Sequence, residues 1–377
     1  MSQIAGTKAR LTWAVNLAAF LLVALWTIPT FGLLVSSFRD ADQIAASGWW
    51  RAAMATEQTG FERAGTAADQ RREGDLYVIA GDLTAGEGEV TAWGTSSRAP
   101  AAHAPGETVA LKDGQSLSVA ADGLYRLTSP VAFTETRGMR IFVTTAEAPR
   151  MTLDNYARVT GAEGLGRAFL NTMTVTIPAT VIPILIAAFA AYALAWMEFP
   201  GRALIIAAVV GLLVVPLQLA LIPLLKFHNE IGLGKGYMGI WLAHTGFGLP
   251  LAIYLLRNYM VGLPREIIES ARVDGATEFQ IFRRIILPLS FPALASFAIF
   301  QFLWVWNDLL VATVFLGNRP DQLVMTGVLR ELLGSRGGDW EILAASAFLS
   351  IAVPLLVFFA LQKYLVRGLL AGSVKGG

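Results

Sequence analysis

Six long apolar stretches make up most of the chain outside one polar block, and they leave few folds open to it. Each holds about 20 or more mostly apolar residues, enough for a helix to cross a hydrocarbon core about 30 Å thick. Asp308 is the only Asp, Glu, Lys or Arg in all six, and just 15% of the 377 residues are charged. The chain is therefore predicted to be an integral membrane protein with six transmembrane helices. The stretches are Trp13–Val35, Ala168–Met197, Ala203–Leu225, Gly236–Leu256, Ile285–Gly317 and Ile342–Gln362.

The positions of Lys and Arg predict how these helices are oriented. Basic residues are frequent at the N-terminus, near Arg202, in the segment 257–284 and in the C-terminal tail, and scarce in the opposite loops. Because cytoplasmic loops carry an excess of Lys and Arg, both termini and 257–284 are predicted to be cytoplasmic. The first stretch has basic residues before it, as a signal peptide does. Its 23 apolar residues and the lack of a convincing small-residue cleavage site favour a retained helix.

The polar block, residues 39–167, is predicted to be a separate soluble domain on the outer face. It carries more than half of the chain's charged residues. Apolar and polar residues alternate on either side of Asp122-Gly123, a pattern typical of a β-hairpin. Residues 41–72 are richer in Ala, Gln, Glu and Arg and are predicted to form helix or a loose linker. Further short strands are expected at 77–80, 90–93 and 140–145, giving a small antiparallel sheet or sandwich.

Several chemistries find no support in the sequence. The chain has no cysteine, which excludes disulfides and thiolate metal sites. Its three histidines lack metal-ligand spacing, so a membrane-embedded metallohydrolase is disfavoured. No phosphate-binding Gly-rich loop ending in Gly-Lys-Ser/Thr is present, so the chain is not expected to hydrolyse ATP itself. We expect no cofactor, no metal, no nucleic-acid partner and no catalytic residue.

The cytoplasmic segment 264–288 is a charged interruption between two apolar stretches. A short helix is predicted from Pro264 to about Arg272, then a turn at Asp274-Gly275. Thr277 to Gln280 fits a capping box, which predicts a second helix running toward Pro288. Small residues at the bend would let another protein approach closely, although on composition alone an ordinary amphipathic connector is the preferred interpretation. The small residues are Ser270, Ala271, Gly275 and Ala276, and apolar anchoring is expected from Ile267, Ile268, Phe279 and Phe282.

This segment resembles the EAA loop of binding-protein-dependent ABC importer permeases. Its Glu, second Ala, Gly and final Ile-x-Leu-Pro are in register, and Ser270 replaces the first Ala. The end of the chain is similar to the carbohydrate branch, specifically the smaller permease subunit of maltose-type transporters, and the long insertion resembles α-glucoside permeases. The matching EAA positions are Glu269, Ala271, Gly275, Ile285, Leu287 and Pro288. Further matches are 153–156, 170–172, 215–219, 222–223, 248–250, 302–308 and 365–376.

The resemblance implies an architecture and a set of partners. The fold is that of an all-α polytopic membrane protein of the ABC importer type I class, with an inserted β-rich periplasmic domain. Its domains are 1–38 with the first helix, the periplasmic insertion 39–167, and the permease core 168–377 with the EAA coupling loop 264–288. The implied partners are two copies of an ABC ATPase subunit, a second permease forming a heterodimer, a periplasmic sugar-binding protein and the bilayer. The implied location is the bacterial cytoplasmic (inner) membrane, and the implied role is sugar import.

The resemblance also implies how the loop is used. In the family the EAA helix sits in a cleft of an ATPase subunit, and its Glu pairs with a basic residue there, which makes Glu269 the candidate for the docking ion pair. The C-terminal tail is implied to contact the ATPases through Gly372 and Lys375. The other ATPase-coupling candidates are Ser270, Ala271, Asp274, Gly275, Ala276, Phe282, Leu287 and Pro288.

A charged side chain inside a span is costly, so Asp308 is expected to face the bundle interior or a water-filled cavity. Gln218, His244 and Asn307 are polar candidates for the same translocation path, although Asn and Gln also bridge helices. Trp304 and Trp306 either give sugars a stacking face or anchor the helix at the membrane interface.

The outer loop Asn318–Trp340 resembles the segment with which this kind of subunit probes a docked binding protein, and a plain helix connection is the alternative. Two other functions stay open at this point. A secondary transporter without an ATPase would usually need coupling carboxylates in mid-membrane, and one Asp is thin support. A membrane-anchored sensor that uses the outer domain would leave the EAA loop without a purpose.

Overall fold

The computed structural model describes residues 5–86, 88–161, 164–335 and 338–370, and these form a mostly helical chain with one β-rich region. They divide into two compact units. The first comprises residues up to 155 together with 339–344, and the second comprises 156–338 together with 345 onward. Each unit has its own hydrophobic core.

The first unit begins with a long helix, α1 (Ala5–Ser37), most of whose apolar residues are exposed. A short helix, α2 (Ala41–Ala46), follows it, with Asp40 accepting a hydrogen bond from the backbone N–H of Gln43 as its N-cap. Eight strands complete the unit: β1 (Thr56–Arg63), β2 (Arg71–Glu73), β3 (Leu76–Asp82), β4 (Glu89–Gly94), β5 (Thr108–Ala110), β6 (Ser116–Val119), β7 (Leu124–Ser129) and β8 (Arg140–Glu147).

The strands form two antiparallel sheets, ordered β1-β8-β4 and β2-β3-β7-β6-β5. Side chains from both sheets share one core, in which Trp93, Leu117 and Ile141 are fully buried. The predicted hairpin around Asp122-Gly123 is confirmed, because β6 pairs with β7 across this turn and Gly123 has φ +87°. The strands expected at 77–80, 90–93 and 140–145 are confirmed as β3, β4 and β8.

The prediction of helix or loose linker for 41–72 is wrong for the two segments that form strands, residues 56–63 and 71–72. Only α2 is a regular helix there, whereas the eight residues of β1 pair along their full length with β8. β1 is an edge strand whose residues are mostly exposed. It therefore lacks the apolar alternation that marks a half-buried strand in a sequence.

The second unit is helical. Its helices are α3 (Asp154–Gly161, which begins at the boundary with the first unit), α4 (Leu165–Trp196), α5 (Arg202–Leu212), α6 (Leu217–Glu230), α7 (Tyr237–Val261), α8 (Arg265–Val273), α9 (Glu278–Ile281), α10 (Leu287–Leu289), α11 (Phe291–Trp306), α12 (Leu310–Phe315), α13 (Met325–Ser335) and α14 (Trp340–Leu370, whose first residues group with the first unit). One π-helical turn, Phe282–Ile286, joins α9 to α10.

Four helices in the described part of the chain are long and apolar enough to cross a membrane, namely α1, α4, α7 and α14. Two bent pairs raise the number to six if each pair is one span. The helices α5 and α6 meet at 108°, and the segment Glu278–Leu289 meets α11 at 69°. The third and fifth predicted spans are therefore bent or broken rather than straight. A count of six spans stays a prediction.

The packing of α4 against α7 is the centre of the second unit. Small residues lie where these helices meet, and Ala187, Ala191 and Ala252 are fully buried. One apolar cluster continues from this contact to Ile268, Ile281 and other residues of the segment after α7. A second cluster joins α4 and α7 to α11 and α12 through residues such as Ile240 and Val311.

Candidate functional site

The predicted helix-turn-helix is present directly after α7. Pro264 follows the end of α7 and is the N-cap residue of α8, as expected because proline disfavours helix at the residue before it. The turn after α8 contains Gly275, whose φ of +78° lies in the left-handed region that glycine adopts without strain. The amide of Ala276 donates to the carbonyl of Ala271 at 3.0 Å, which closes the end of α8. We call residues 264–288 the coupling loop.

The predicted capping box at the start of α9 is confirmed. The backbone N–H of Gln280 donates to the Thr277 hydroxyl at 3.3 Å, and the Gln280 side chain accepts from the backbone N–H of Thr277 at 2.8 Å. Both bonds satisfy amide groups that the first turn of a helix leaves free. The bend and the start of the second helix are thus specified by local chemistry.

Apolar side chains anchor the coupling loop to the helical core. Ile268, Ile281, Phe282 and Ile286 are buried. The ring of Phe282 lies 4.6 Å from that of Phe189 in α4, measured between centroids. The π-helical turn places Phe282 and Ile286 in the same core cluster. The loop is therefore attached firmly to α4 on its inner side.

A polar network, which we call the strap, ties the two helices of the loop together. The Arg272 Nε donates to Glu278 Oε1 at 2.9 Å across the bend. The hydroxyl of Tyr192 in α4 donates to the same carboxylate, and Arg272 Nη2 donates to the carbonyl of Trp196 at 3.3 Å. The hydrogen bond to Glu278 raises the pKa of the Arg272 guanidinium, which stays charged. Sequence reasoning missed this network, although opposite charges flanking a predicted turn were a usable signal.

The outer face of the coupling loop is free of contacts. Glu269, Ser270 and Asp274 are exposed, and within the described residues Glu269 makes no ion pair or hydrogen bond. Val273 is 88% exposed and Phe279 is 60% exposed. The expected anchoring by Ile267 and Phe279 is wrong, because both are exposed, whereas it is confirmed for Ile268 and Phe282. A carboxylate flanked by bare apolar side chains suits a protein surface that meets a partner.

Five of the coupling candidates line the groove behind this face or pack against the helical core. Leu287 and Pro288 line a wholly apolar groove of about 500 Å³, together with residues of α4 and α11. Phe282 is buried against α4, and Ala271 and Ala276 pack at the edge of the core cluster. The structure thus brings Glu269, Ser270, Asp274 and Gly275 together at the surface and places Phe282 and Leu287 behind them.

Asp308 lies in a second interruption of the fifth predicted span, between α11 and α12. Its carboxylate accepts hydrogen bonds from the backbone N–H groups of Val311 and Ala312, at 3.3 and 3.0 Å, and so caps α12. Its side chain is 9% exposed, and Asp308 Oδ2 lies 3.8 Å from His244 Nε2 of α7. The expectation that Asp308 faces the interior agrees with this position.

His244 is fully buried beside Asp308. The Trp304 ring packs edge-on against its imidazole, with centroids 5.0 Å apart. Neither ring nitrogen of His244 has a hydrogen-bond partner among the described residues. The imidazole next to this carboxylate therefore has unused hydrogen-bonding atoms inside the helical core, where polar groups usually find partners.

Gln301 was not among the sequence candidates, yet it bridges three helices here. Its Nε2 donates to the carbonyl of Ala179 in α4 at 3.0 Å and to that of His244 in α7 at 3.4 Å. A Cβ added at Gly248 would lie 2.6 Å from the Gln301 side chain, so the glycine makes room for it. In the sequence, a lone Gln within an apolar stretch could have indicated a side chain that bridges helices.

The remaining path candidates separate into exposed and buried groups. Gln218 is exposed near the bend between α5 and α6, and Asn307 is exposed after α11. Trp306 is 1% exposed, stacks on Phe302 and donates through Nε1 to the carbonyl of Ser350 at 2.9 Å. Neither a sugar-stacking face nor an interfacial anchor describes Trp306 here, because it is packed between helices.

The outer loop 318–340 contains a helix that packs against the helical core. This helix is α13, in which Met325 and Leu332 are buried. Asn171 Nδ2 of α4 donates to the carbonyls of Asp321 and Leu323, at 3.0 and 2.9 Å, and the Met325 amide donates to the Thr172 hydroxyl. These contacts give Asn171 and Thr172, which are part of the family resemblance, a structural role.

The tail candidates Gly372 and Lys375 lie outside the described residues. In the part of the chain that is described, no group of three or more His, Asp or Glu residues is placed to hold a metal ion.

Comparisons with known proteins are consistent with this geometry. Residues 167–370 match the family model of the binding-protein-dependent transport system inner membrane component. The chain is 65% identical over 375 residues to the alpha-glucoside transport system permease protein AglG of Rhizobium meliloti, covering 98% of this chain and 99% of that protein. It is 59% identical to the osmoprotective compounds uptake permease protein GgtD of Synechocystis, covering 61% and 77% of the two chains.

A solved structure shares the fold. A chain from the crystal structure of a bacterial ABC transporter involved in the import of the acidic polysaccharide alginate superimposes with a TM-score of 0.54 at 18% identity. The match covers 97% of this chain and 99% of that one.

Proposed function

The chain belongs to the family of binding-protein-dependent transport system inner membrane components, and on that premise we propose that it is the permease subunit of an ATP-driven importer of α-glucosides. It is a non-catalytic membrane subunit, and ATP hydrolysis is the task of partner subunits. The observation that carries the proposal is the coupling loop, a rigid bend with a free carboxylate on its outer face.

The substrate class rests on the relative that shares almost the whole chain. That relative is an alpha-glucoside permease with 65% identity over 98% of this chain, including the outer domain. A trehalose transport system permease protein from Mycobacterium tuberculosis is 33% identical over 60% of this chain. Trehalose, which its name gives as the substrate, is an α-linked glucose disaccharide. We therefore propose α-glucosides rather than oligosaccharides in general.

The proposed assembly contains this chain, a second permease, two copies of an ATPase subunit and a periplasmic sugar-binding protein. Both termini and the coupling loop lie in the cytoplasm, and residues 39–167 lie in the periplasm. The division into 1–38, 39–167 and 168–377 follows from this orientation. The excess of Lys and Arg near the cytoplasmic segments supports it.

The proposed mechanism turns ATPase closure into movement of the helices. Glu269 pairs with a basic residue of the ATPase, while Ser270, Asp274 and Gly275 allow close approach at the bend. Phe282 and the strap pass the displacement to α4, because they join the loop to that helix. The helices then alternate between inward-open and outward-open arrangements. Ala271, Ala276, Leu287 and Pro288 support the loop from behind.

The proposed translocation path uses the polar residues around the break between α11 and α12. Gln218, Trp304 and Asn307 offer side chains toward the sugar, and Asp308 and His244 hold the break in place from within the core. Trp306 supports the path by packing. The tail residues Gly372 and Lys375 are proposed to contact the ATPases, and the loop 318–340 is proposed to contact the binding protein.

Transport measurements test this function directly. The complex, purified with its ATPase and reconstituted in liposomes, is expected to accumulate labelled maltose or trehalose only when ATP and the binding protein are both present. Uptake by this chain without any ATPase would instead identify a secondary transporter. Normal uptake of every α-glucoside in cells that lack the chain would reject the substrate assignment.

A further inference from the structure

The outer domain contains a cleft that the proposed transport mechanism leaves unexplained. It has a volume of about 380 Å³, which lies within the usual range for small-molecule sites. Its apolar floor consists of Ile79 and Leu127 from the five-stranded sheet, together with Phe133 and Met139 from the segment before β8. The cleft lies entirely within the first unit.

The polar residues around the cleft have unused hydrogen-bonding capacity. Five of them line it, and within the described residues none of their side-chain polar atoms takes part in a hydrogen bond or ion pair. They supply a hydroxyl, an ammonium, an amide and two carboxylates, so both donors and acceptors are present. These residues are Thr95, Lys112, Asp113, Gln115 and Glu135.

Hydrogen bonds fix the backbone of the segment that forms one side of the cleft. The Gln70 side chain donates to the carbonyl of Phe133 at 3.2 Å and accepts from its amide at 2.9 Å. The amide of Ala67 donates to the carbonyl of Glu135 at 3.1 Å. The segment that carries Phe133 and Glu135 is thus fixed through its backbone, which leaves both side chains available.

Asp113 lies in a left-handed turn beside the cleft. Its φ of 57° and ψ of 28° belong to a region that Asp adopts more readily than most residues other than glycine. The turn places the Asp113 residue among those that line the cleft.

We propose that this cleft binds a neutral saccharide, which makes the outer domain a second sugar site of the importer. One cationic and two anionic side chains give little net charge, so a strongly charged ligand is disfavoured. A sugar ring presents an apolar C–H face to Phe133 and Met139 and hydroxyl edges to the surrounding donors and acceptors. The choice of sugar over other neutral polar ligands rests on the proposed transport of α-glucosides.

The lack of cysteine in the chain gives a direct test in the assembled complex. A single Gln115→Cys substitution places one thiol in the cleft, and Glu57→Cys on the exposed strand β1 is the matched control. In membranes without the binding protein, maltose is expected to slow maleimide labelling at position 115 and leave position 57 unchanged. Glycine betaine at the same osmolarity is expected to slow neither.

A second variant separates binding in the cleft from binding elsewhere. Asp113→Gly removes a carboxylate and relieves the positive φ, and Glu135→Ala removes the other carboxylate from an exposed position. This double change is expected to raise the maltose concentration needed for protection about tenfold. Its β-domain should remain folded, as measured by an unchanged thermal midpoint of unfolding of the complex.

Two results would overturn the inference. One is a labelling rate at position 115 that does not respond to maltose up to about 50 mM, well above a Kd of a few millimolar. The other is protection of the double variant at the same maltose concentrations that protect the Gln115→Cys protein. If ATP-driven maltose uptake persists in either case, the transport function stands and only the second site is rejected. If the complex transports no α-glucoside, the proposed function itself fails.

Discussion

Single side chains at the bend of the coupling loop divide into those that face outward and those that hold the loop in shape. Glu269 belongs to the first group and Arg272 with Glu278 to the second. The distinction matters because loss of an outward group is expected to weaken docking of the ATPase. Loss of an inward group is expected to weaken transmission of the movement from the coupling loop to α4. Each group therefore predicts a different experimental result.

Glu269→Ala is expected to uncouple ATP hydrolysis from sugar uptake. Removal of one member of a desolvated charge pair typically costs about 2–5 kcal/mol, so the ATPase should co-purify poorly or hydrolyse ATP without transport. The measurement is maltose-stimulated ATPase activity and uptake in liposomes. Glu266→Ala, a change of the same kind in the first turn of α8, is the control and should behave as the unmodified protein. Equal coupling in both variants would contradict the docking role.

Glu278→Gln is expected to weaken coupling while leaving the fold intact. The Arg272–Glu278 pair is about 42% exposed on each side, and exposed pairs contribute only about 0.2–1 kcal/mol to stability. The thermal midpoint should change little, whereas uptake per ATP hydrolysed should fall. Tyr192→Phe removes one hydrogen bond to the same carboxylate and should produce a smaller loss. A loss of stability that matches the loss of transport would indicate a purely structural role.

Asp308→Asn and Asp308→Ala separate the helix-capping role of the Asp308 carboxylate from the role of its charge in the translocation path. Asn caps helices about as well as Asp, whereas Ala lacks a capping oxygen and costs about 1 kcal/mol. The Asn variant should therefore keep the stability of the complex, and the Ala variant should lower its thermal midpoint. If both variants transport normally, the charge beside His244 is not needed for the path.

At the scale of elements, the turn of the coupling loop and the β6–β7 hairpin were predictable because local chemistry specifies them. The capping box at Thr277 and the Asp122-Gly123 turn are contained in four or fewer consecutive residues. The edge strand β1, the bridging Gln301 and the Tyr192 contact to Glu278 depend on partners about 77 to 122 residues away. A single sequence read by itself holds no direct record of such distant pairings, so these features were missed.

Gly275→Ala tests whether the bend requires a left-handed residue. Nothing lies within 4 Å of the added Cβ, so the cost comes only from the positive φ and amounts to about 1–2 kcal/mol. The expected result is reduced coupling with an intact helical core. Gly211→Ala, which also has open space but lies inside α5, is the control and should be neutral or slightly stabilising. Unchanged coupling in Gly275→Ala would show that the bend angle tolerates strain.

At the scale of the whole molecule, the proposed orientation makes opposite predictions for its two polar regions. Single cysteines can be introduced without background because the chain has none. A membrane-impermeant maleimide added to intact spheroplasts should label Glu57→Cys in the outer domain and leave Asp274→Cys in the coupling loop unlabelled. Lysis should expose the second site. The reverse labelling pattern would invert the topology and remove the basis for ATPase docking.

The break between α11 and α12 has a consequence for how the protein is made. The six residues of α12 rise only about 9 Å, so this piece cannot cross a bilayer by itself. Its first amides are satisfied by Asp308, and the carbonyl of Asp308 accepts from the Thr326 hydroxyl at 2.8 Å. Because lipid offers no replacement for these bonds, we expect α12 to settle among the other helices only after the chain has been synthesised beyond Thr326. We therefore expect the order of assembly to depend on a polar joint whose partners come from both earlier and later parts of the chain.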